Sequence, residues 1–422
     1  MFVRMVSEKF IKNLSFSLYI FFYVSLIVGF FLNENTSGGA IYDFNINIKA
    51  IESFSIDLIE TYKSYDSFSI SHFPYYYIFL SVLLNISGSV TFIKLAILHL
   101  SLYLPFIFYQ ILKFRFPTNR NYLIFIPGLL FLSPYFRSTA IWALNDNIAL
   151  IFFSLSILYF LKALYSKKEK KRFKYVIFNL IFIVFATYIR QYYAVFGLYF
   201  FFNFLLNFSL RIISLYIFFG LILISPILYQ ILNPNLSYAL NFLSQNLINN
   251  FILLLTIFII YLIPFYLDPK NIKKFFLFYK KNIFLCLIIF LITLLLIYFF
   301  DYHSTYVDEK KIGGGIFYKI LFKKHIYYLF YTVVFISILI ITHFSYRNFK
   351  HNIPIIIFFF LMFPVGYVFQ KYLDPLSLII IFGLLKSDIL KEYQENIKFR
   401  IKNLYIYFLI IYLGSIFNYY IV

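Results

Sequence analysis

Cysteine is all but missing from this chain. Cys286 is the only one and sits in an apolar run, which excludes a disulfide framework and a thiolate metal site. Charge is scarce too: 13% of the 422 residues are charged, against about 25% in a soluble domain. Acids are the scarcest, 17 against 37 basic residues. Only 33–89 and 301–325 have a soluble-like composition over any length, so no extramembrane domain is expected. No internal repeat and no Gly/Ser- or Pro-rich linker divides the chain.

What the chain has instead is apolar mass. It is 62% hydrophobic, with 61 Phe and 41 Tyr, and its mean hydropathy is +0.84. Such a composition cannot present a wetted surface, so the expected class is an all-α, polytopic transmembrane helical bundle. Apolar runs near 15–32, 90–112, 121–135, 146–161, 175–190, 193–209, 212–231, 248–266, 282–300, 326–342, 353–369, 374–386 and 403–421 give about 12–13 spans at roughly 20 residues each. Arg4, Lys9 and Lys12 precede the first run, and no A-x-A cleavage site follows it. It reads as an uncleaved first span with a cytoplasmic N-terminus.

The segment 73–88, FPYYYIFLSVLLNISG, is apolar but is read as a re-entrant or juxtamembrane helix. Left outside, it sends 26 of the 37 basic residues and only 6 of the 17 acids to the cytoplasm, as the positive-inside rule requires. Counted as a span, it would expel the KKEKKRFK run at 167–174. The excess of +20 is thereby accounted for by topology and attraction to anionic membrane lipids, and nucleic acid is not an expected partner.

One segment breaks the basic, greasy habit. Residues 33–72 carry six acids (Glu34, Asp43, Glu52, Asp57, Glu60, Asp66) and two lysines. Asp43 follows the glycine pair of SGGAIYDF (37–44), where glycine permits a tight turn and close backbone approach. The later acids are spaced like the wet side of an amphipathic surface helix.

Other polar residues gather at outer helix ends. SHFPYYY (71–77) brings His72 before Pro74, and SPYFRSTAIWALNDN (133–147) brings Arg137 and Asp146. YIRQYYAVF (188–196) brings Arg190 and Gln191, and FQKYLDPLSL (369–378) brings Lys371 and Tyr372. An outer arginine opposes the charge trend and calls for an anionic partner: Asp146, Asp43 or a lipid phosphate. Two carboxylates facing two or three cations suit transfer chemistry on a phosphate-bearing lipid. One carboxylate serves as general base on an acceptor hydroxyl, and cations stabilise the departing phosphate.

This layout resembles the GT-C superfamily of membrane glycosyltransferases, in its protein-mannosyltransferase, aminoarabinose-transferase and dolichyl-phosphate-glucose glucosyltransferase branches. The likeness covers roughly 10–200 and 365–385; 200–365 matches nothing in the pattern. It implies Asp43 and Asp146 as catalytic carboxylates, and Arg190, Lys371 and Arg137 on the donor phosphate. His72, Gln191 and Tyr372 would contact substrate. The chain departs from the pattern in having one proline where two are common before the aromatic helix, and Lys371 where Arg is common. Asp43 has no neighbouring acid, so no metal site is assigned. The implied donor is a polyprenyl-phosphate sugar and the acceptor a glycan, lipid or protein, with inverting transfer on the outer face of a bacterial inner membrane. A catalytic module over 1–232 and a C-terminal membrane region over 233–422 are expected.

Two other classes share an outer-face, multi-span layout. An O-antigen polymerase or ligase more often carries a large late loop with arginines, and 301–325 has none. A lipid-linked-glycan transporter or flippase should show repeats and mid-span charges, which the sequence scarcely has.

Overall fold

The computed structural model describes residues 2–68, 70–117, 120–232, 247–302, 313–363 and 368–420. Among them every regular element is a helix. In chain order they are α1 (Phe2–Phe31), α2 (Ala40–Ile56), α3 (Leu58–Lys63), α4 (Tyr75–Ser87), α5 (Val90–Ser101), α6 (Tyr103–Arg115), α7 (Arg120–Leu123) and α8 (Phe125–Gly128). Then come α9 (Pro134–Ile141), α10 (Asn145–Tyr165), α11 (Glu169–Ile189), α12 (Ala194–Asn207), α13 (Leu210–Leu232), α14 (Leu247–Tyr266), α15 (Pro269–Lys281) and α16 (Ile283–Tyr298). The last are α17 (Gly315–Phe317), α18 (Tyr327–Ser345), α19 (Phe349–Leu361), α20 (Leu376–Gly383), α21 (Asp388–Glu395) and α22 (Ile397–Tyr420).

Among the described residues, 7 helical stretches are long and apolar enough to cross a membrane, or up to 8 with the bent pair α15–α16. This is consistent with a multi-pass membrane protein, with fewer long apolar helices than the 12–13 apolar runs of the sequence. The run at 121–135 forms no single long helix: it breaks into α7, α8 and the 3₁₀ turn Leu129–Leu132, whose residues are buried in protein. The run at 374–386 holds only the eight-residue α20, buried throughout. The run at 193–209 holds the 14-residue α12, about 21 Å long at 1.5 Å per residue and short of a roughly 30 Å hydrocarbon core. The runs at 121–135 and 374–386 are apolar because they pack inside protein, a case that composition cannot separate from a lipid span.

The segment 73–88 forms the 13-residue α4, too short to span; Gly88 closes it in the left-handed region at φ 63° and Ser89 caps α5 through the Phe92 amide.

Two compact units are formed: Met1–Phe242 with Tyr405–Val422, and Leu243–Leu404. The C-terminal part of α22 thus belongs with the first unit, although the sequence placed it in the second module. In the first unit α10 packs along α11 and α6, and α2 lies on α4. In the second, α14 packs against α18, which also contacts α16.

Candidate functional site

The site in the first unit is built from the ends of several helices. Gly38 takes φ 82°, a conformation glycine adopts at no steric cost. The turn it makes is tied by the Gly38 amide to Asn35 O (2.8 Å) and by the Ala40 amide to Asn35 Oδ1 (3.0 Å). Asp43 therefore lies in the first turn of α2, half-buried, at the positive end of the helix dipole.

Asp146 occupies the equivalent place on α10, in its first turn. The approach to it is an unusual turn, with Ala143 at φ 49°. The Tyr76 hydroxyl of α4 holds that turn by donating to Ala143 O (2.9 Å) and Leu144 O (3.2 Å). Arg190, at the C-terminal end of α11, brings a guanidinium nitrogen to 2.5 Å from Asp146 Oδ1. The contact is short but not aligned as a hydrogen bond, and both Asp146 oxygens are buried without a hydrogen-bond partner among the described residues. Buried polar atoms left in this state mark a place where a ligand or water completes the bonding.

A second guanidinium nitrogen of Arg190 donates to His72 Nε2 at 2.7 Å. Nε2 as acceptor fixes the neutral tautomer with the proton on Nδ1, which faces Gln191 Oε1 at 3.4 Å. Gln191 in turn donates to Ser71 O at 2.5 Å, and Tyr65 donates to His72 O at 2.8 Å. The chain from Asp146 through Arg190 and His72 to Gln191 is continuous.

Tyr77 is fully buried, and its hydroxyl lacks a hydrogen-bond partner among the described residues. Burial pushes that hydroxyl's pKa up, the Arg190 guanidinium pulls it back, and the Asp43 and Asp146 carboxylates push it up again. All three charges therefore act on one phenol. Of the residues singled out in the sequence, Asp146, Arg190, His72 and Gln191 are brought into contact here, and the Asp43 charge acts on the same Tyr77 hydroxyl.

Arg137 is not among them. It is 3% exposed and makes a bidentate pair with Glu34, Nε to Oε1 at 2.7 Å and Nη2 to Oε2 at 2.5 Å. It also donates to Ser25 Oγ and Ser25 O, each at 3.0 Å. Thr36 and Tyr412 hydroxyls donate to Glu34 Oε1 at 3.2 and 3.3 Å. These bonds commit Arg137 to tying α1, the following turn and α22 together, so its expected place on a donor phosphate is withdrawn. Lys371 and Tyr372 lie in the second unit, in the 3₁₀ turn Gln370–Tyr372. The Lys371 ammonium stands 5.6 Å from the Phe369 ring and Tyr372 stacks on Phe363 at 5.6 Å.

One residue of the first unit escaped notice in the sequence. Lys94, half-buried near the start of α5, sits over the Trp142 ring at 3.7 Å, with Phe30 at 5.5 Å and Phe44 at 5.7 Å. Phe44 is the neighbour of Asp43, and Trp142 is pinned by its own bond to Glu34 O at 2.9 Å. Lys94 pairs with no carboxylate among the described residues. Its signal was a lysine within the first residues of an apolar run, indistinguishable in sequence from a snorkelling side chain.

Among the described residues no group of three or more His, Cys, Asp or Glu side chains is placed to hold a metal ion. The chain matches no family model, no curated protein and no solved structure.

Proposed function

We propose that this chain is an integral membrane glycosyltransferase of GT-C type, which moves a sugar from a polyprenyl-phosphate donor to an acceptor hydroxyl with inversion. The observation that carries the reading is the line of contacts from Asp146 through Arg190 to His72 and Gln191, drawn from three separate stretches of chain, with the Asp43 charge acting on the neighbouring Tyr77 hydroxyl.

In this reading Asp43 is the base. It takes the proton from the acceptor hydroxyl as that oxygen bonds to the anomeric carbon. The bond from that carbon to the phosphate oxygen breaks, and its electron pair leaves on the polyprenyl phosphate. Asp146 is bound to Arg190 and acts by holding the guanidinium, with His72 steadying it from the other side. Arg190 then presents fixed positive charge to the departing phosphate, at no reorganisation cost. Lys94 supplies a second cation that no carboxylate neutralises. Lys371 and Tyr372 carry no part in this account.

The test compares membranes containing the wild type with Asp43→Asn and Arg190→Ala. Transfer from a panel of polyprenyl-phosphate sugars should fall at least about 100-fold in each, with insertion and yield unchanged in Asp43→Asn; Arg190→Ala also breaks a buried ion pair, so its rate is read per amount of folded protein. Wild-type rates in both variants would remove the assignment.

A further inference from the structure

A second feature, in the other unit, is independent of the transfer chemistry. α16 runs from Ile283 to Tyr298 without a charged residue and turns an exposed apolar surface outward, including Ile283, Phe284, Leu287, Leu291 and Leu295. Only hydrocarbon suits such a surface. α15 meets α16 at 92°, with the break at Asn282. A helix at a right angle to a membrane-embedded one lies along the membrane surface.

The sequence of α15, PKNIKKFFLFYKK, divides to fit that position. Asn271, Phe275, Phe278 and Tyr279 follow the i, i+4, i+7, i+8 spacing of one helical face. That face is clamped to the unit: Asn271 Nδ2 donates to Phe265 O at 2.7 Å and the Tyr279 hydroxyl to Leu339 O at 2.7 Å. Asp268 caps the helix through the Lys270 amide at 2.9 Å, and Arg400 reaches Asp268 at 2.5 Å. Ile272 and Phe276, one row round, are 40% and 66% exposed. The remaining arc carries five lysines, all exposed. Lys274 pairs with Glu392. Lys270, Lys273, Lys280 and Lys281 have no carboxylate partner among the described residues. Bulky apolar side chains beside a row of unneutralised lysines, on a helix held in the membrane plane, are what an interfacial helix needs.

We propose that α15 is an in-plane interfacial helix that binds anionic phospholipid headgroups. Lys270, Lys273, Lys280 and Lys281 meet the phosphates, and Ile272 and Phe276 enter the acyl boundary. The charge is of one sign over the whole exposed arc, so the partner must be anionic. A bilayer surface supplies that anion in the plane where the helix lies.

The experiment uses the full chain in vesicles, with Cys286→Ser removing the single native thiol. Spin labels placed by Phe276→Cys and Lys281→Cys are read by power saturation. The label at 276 should be accessible to oxygen and shielded from a water-soluble relaxant, and the label at 281 the reverse. Equal aqueous access at both positions overturns the in-plane placement. Headgroup preference is read by native mass spectrometry in mixed phosphatidylglycerol and phosphatidylcholine. Lys273→Gln with Lys280→Gln should lower the retention of phosphatidylglycerol over phosphatidylcholine about tenfold, and the paired arginine variant should keep it. An unchanged preference in the glutamine variant, as a partner protein on this surface would give, overturns the proposal.

Discussion

Glu34 and Asp43 belong to one short acidic stretch and have opposite fates. Glu34 is 7% exposed and locked to Arg137, while Asp43 stays half-buried in the first turn of α2. Removing one partner of a buried ion pair leaves an uncompensated charge and costs about 3–5 kcal/mol. Arg137→Ala should therefore lower the thermal midpoint markedly, read by unfolding in detergent, where an exposed change such as Lys49→Ala should do nothing. Lys94 answers a different question. Its ammonium over Trp142 is stabilised by roughly 1–2 kcal/mol of cation–π attraction, and the loss of its methylene stem can be avoided by choosing methionine. Lys94→Met should lower the thermal midpoint only by the lost cation–π attraction and raise the donor KM about tenfold or more. A collapse of stability with unchanged KM would make Lys94 a packing residue. Composition exposed the acidic stretch and the glycine turn before Asp43. It could not rank Glu34 above its neighbours, because burial of an acid is decided by an arginine about a hundred residues away.

At the scale of elements, the end of α1 is where the tightest constraint lies. A Cβ on Gly29 would collide with the Glu34 carboxylate and stand 3.0 Å from the Arg137 guanidinium. Gly29→Ala should destabilise the protein as Arg137→Ala does, and the two together should cost less than their sum, since both break one pair. Near-additive losses in a thermal double-mutant cycle would separate them. The helix α4 was legible because charge bookkeeping forbade a span at 73–88 and α4 is too short to make one. The right angle between α15 and α16 was not. Their residues read as a basic loop followed by a span, and only the break at Asn282 shows that the basic segment is itself a helix with a clamped face.

For the whole molecule, hydropathy revealed the class and overstated the number of long apolar helices among the described residues. Apolar runs at 121–135 and 374–386 are buried in protein, and a period-3.6 pattern has nothing to report when every face is covered. Single-cysteine accessibility on the Cys286→Ser background should place 167–174 on one side of the membrane and 45–65 on the other. Labelling of both from the same side would break the topology on which the site's orientation depends.

The central claim is that Asp43 takes a proton during sugar transfer from a polyprenyl phosphate. Its most direct measurement is release of polyprenyl phosphate from a labelled polyprenyl-phosphate sugar by purified protein in lipid nanodiscs, with acceptor present. The account predicts release by the wild type and a loss of about 100-fold or more in Asp43→Asn, with donor still bound. Release by Asp43→Asn at the wild-type rate, or no release by the wild type from any donor in the panel, would contradict it.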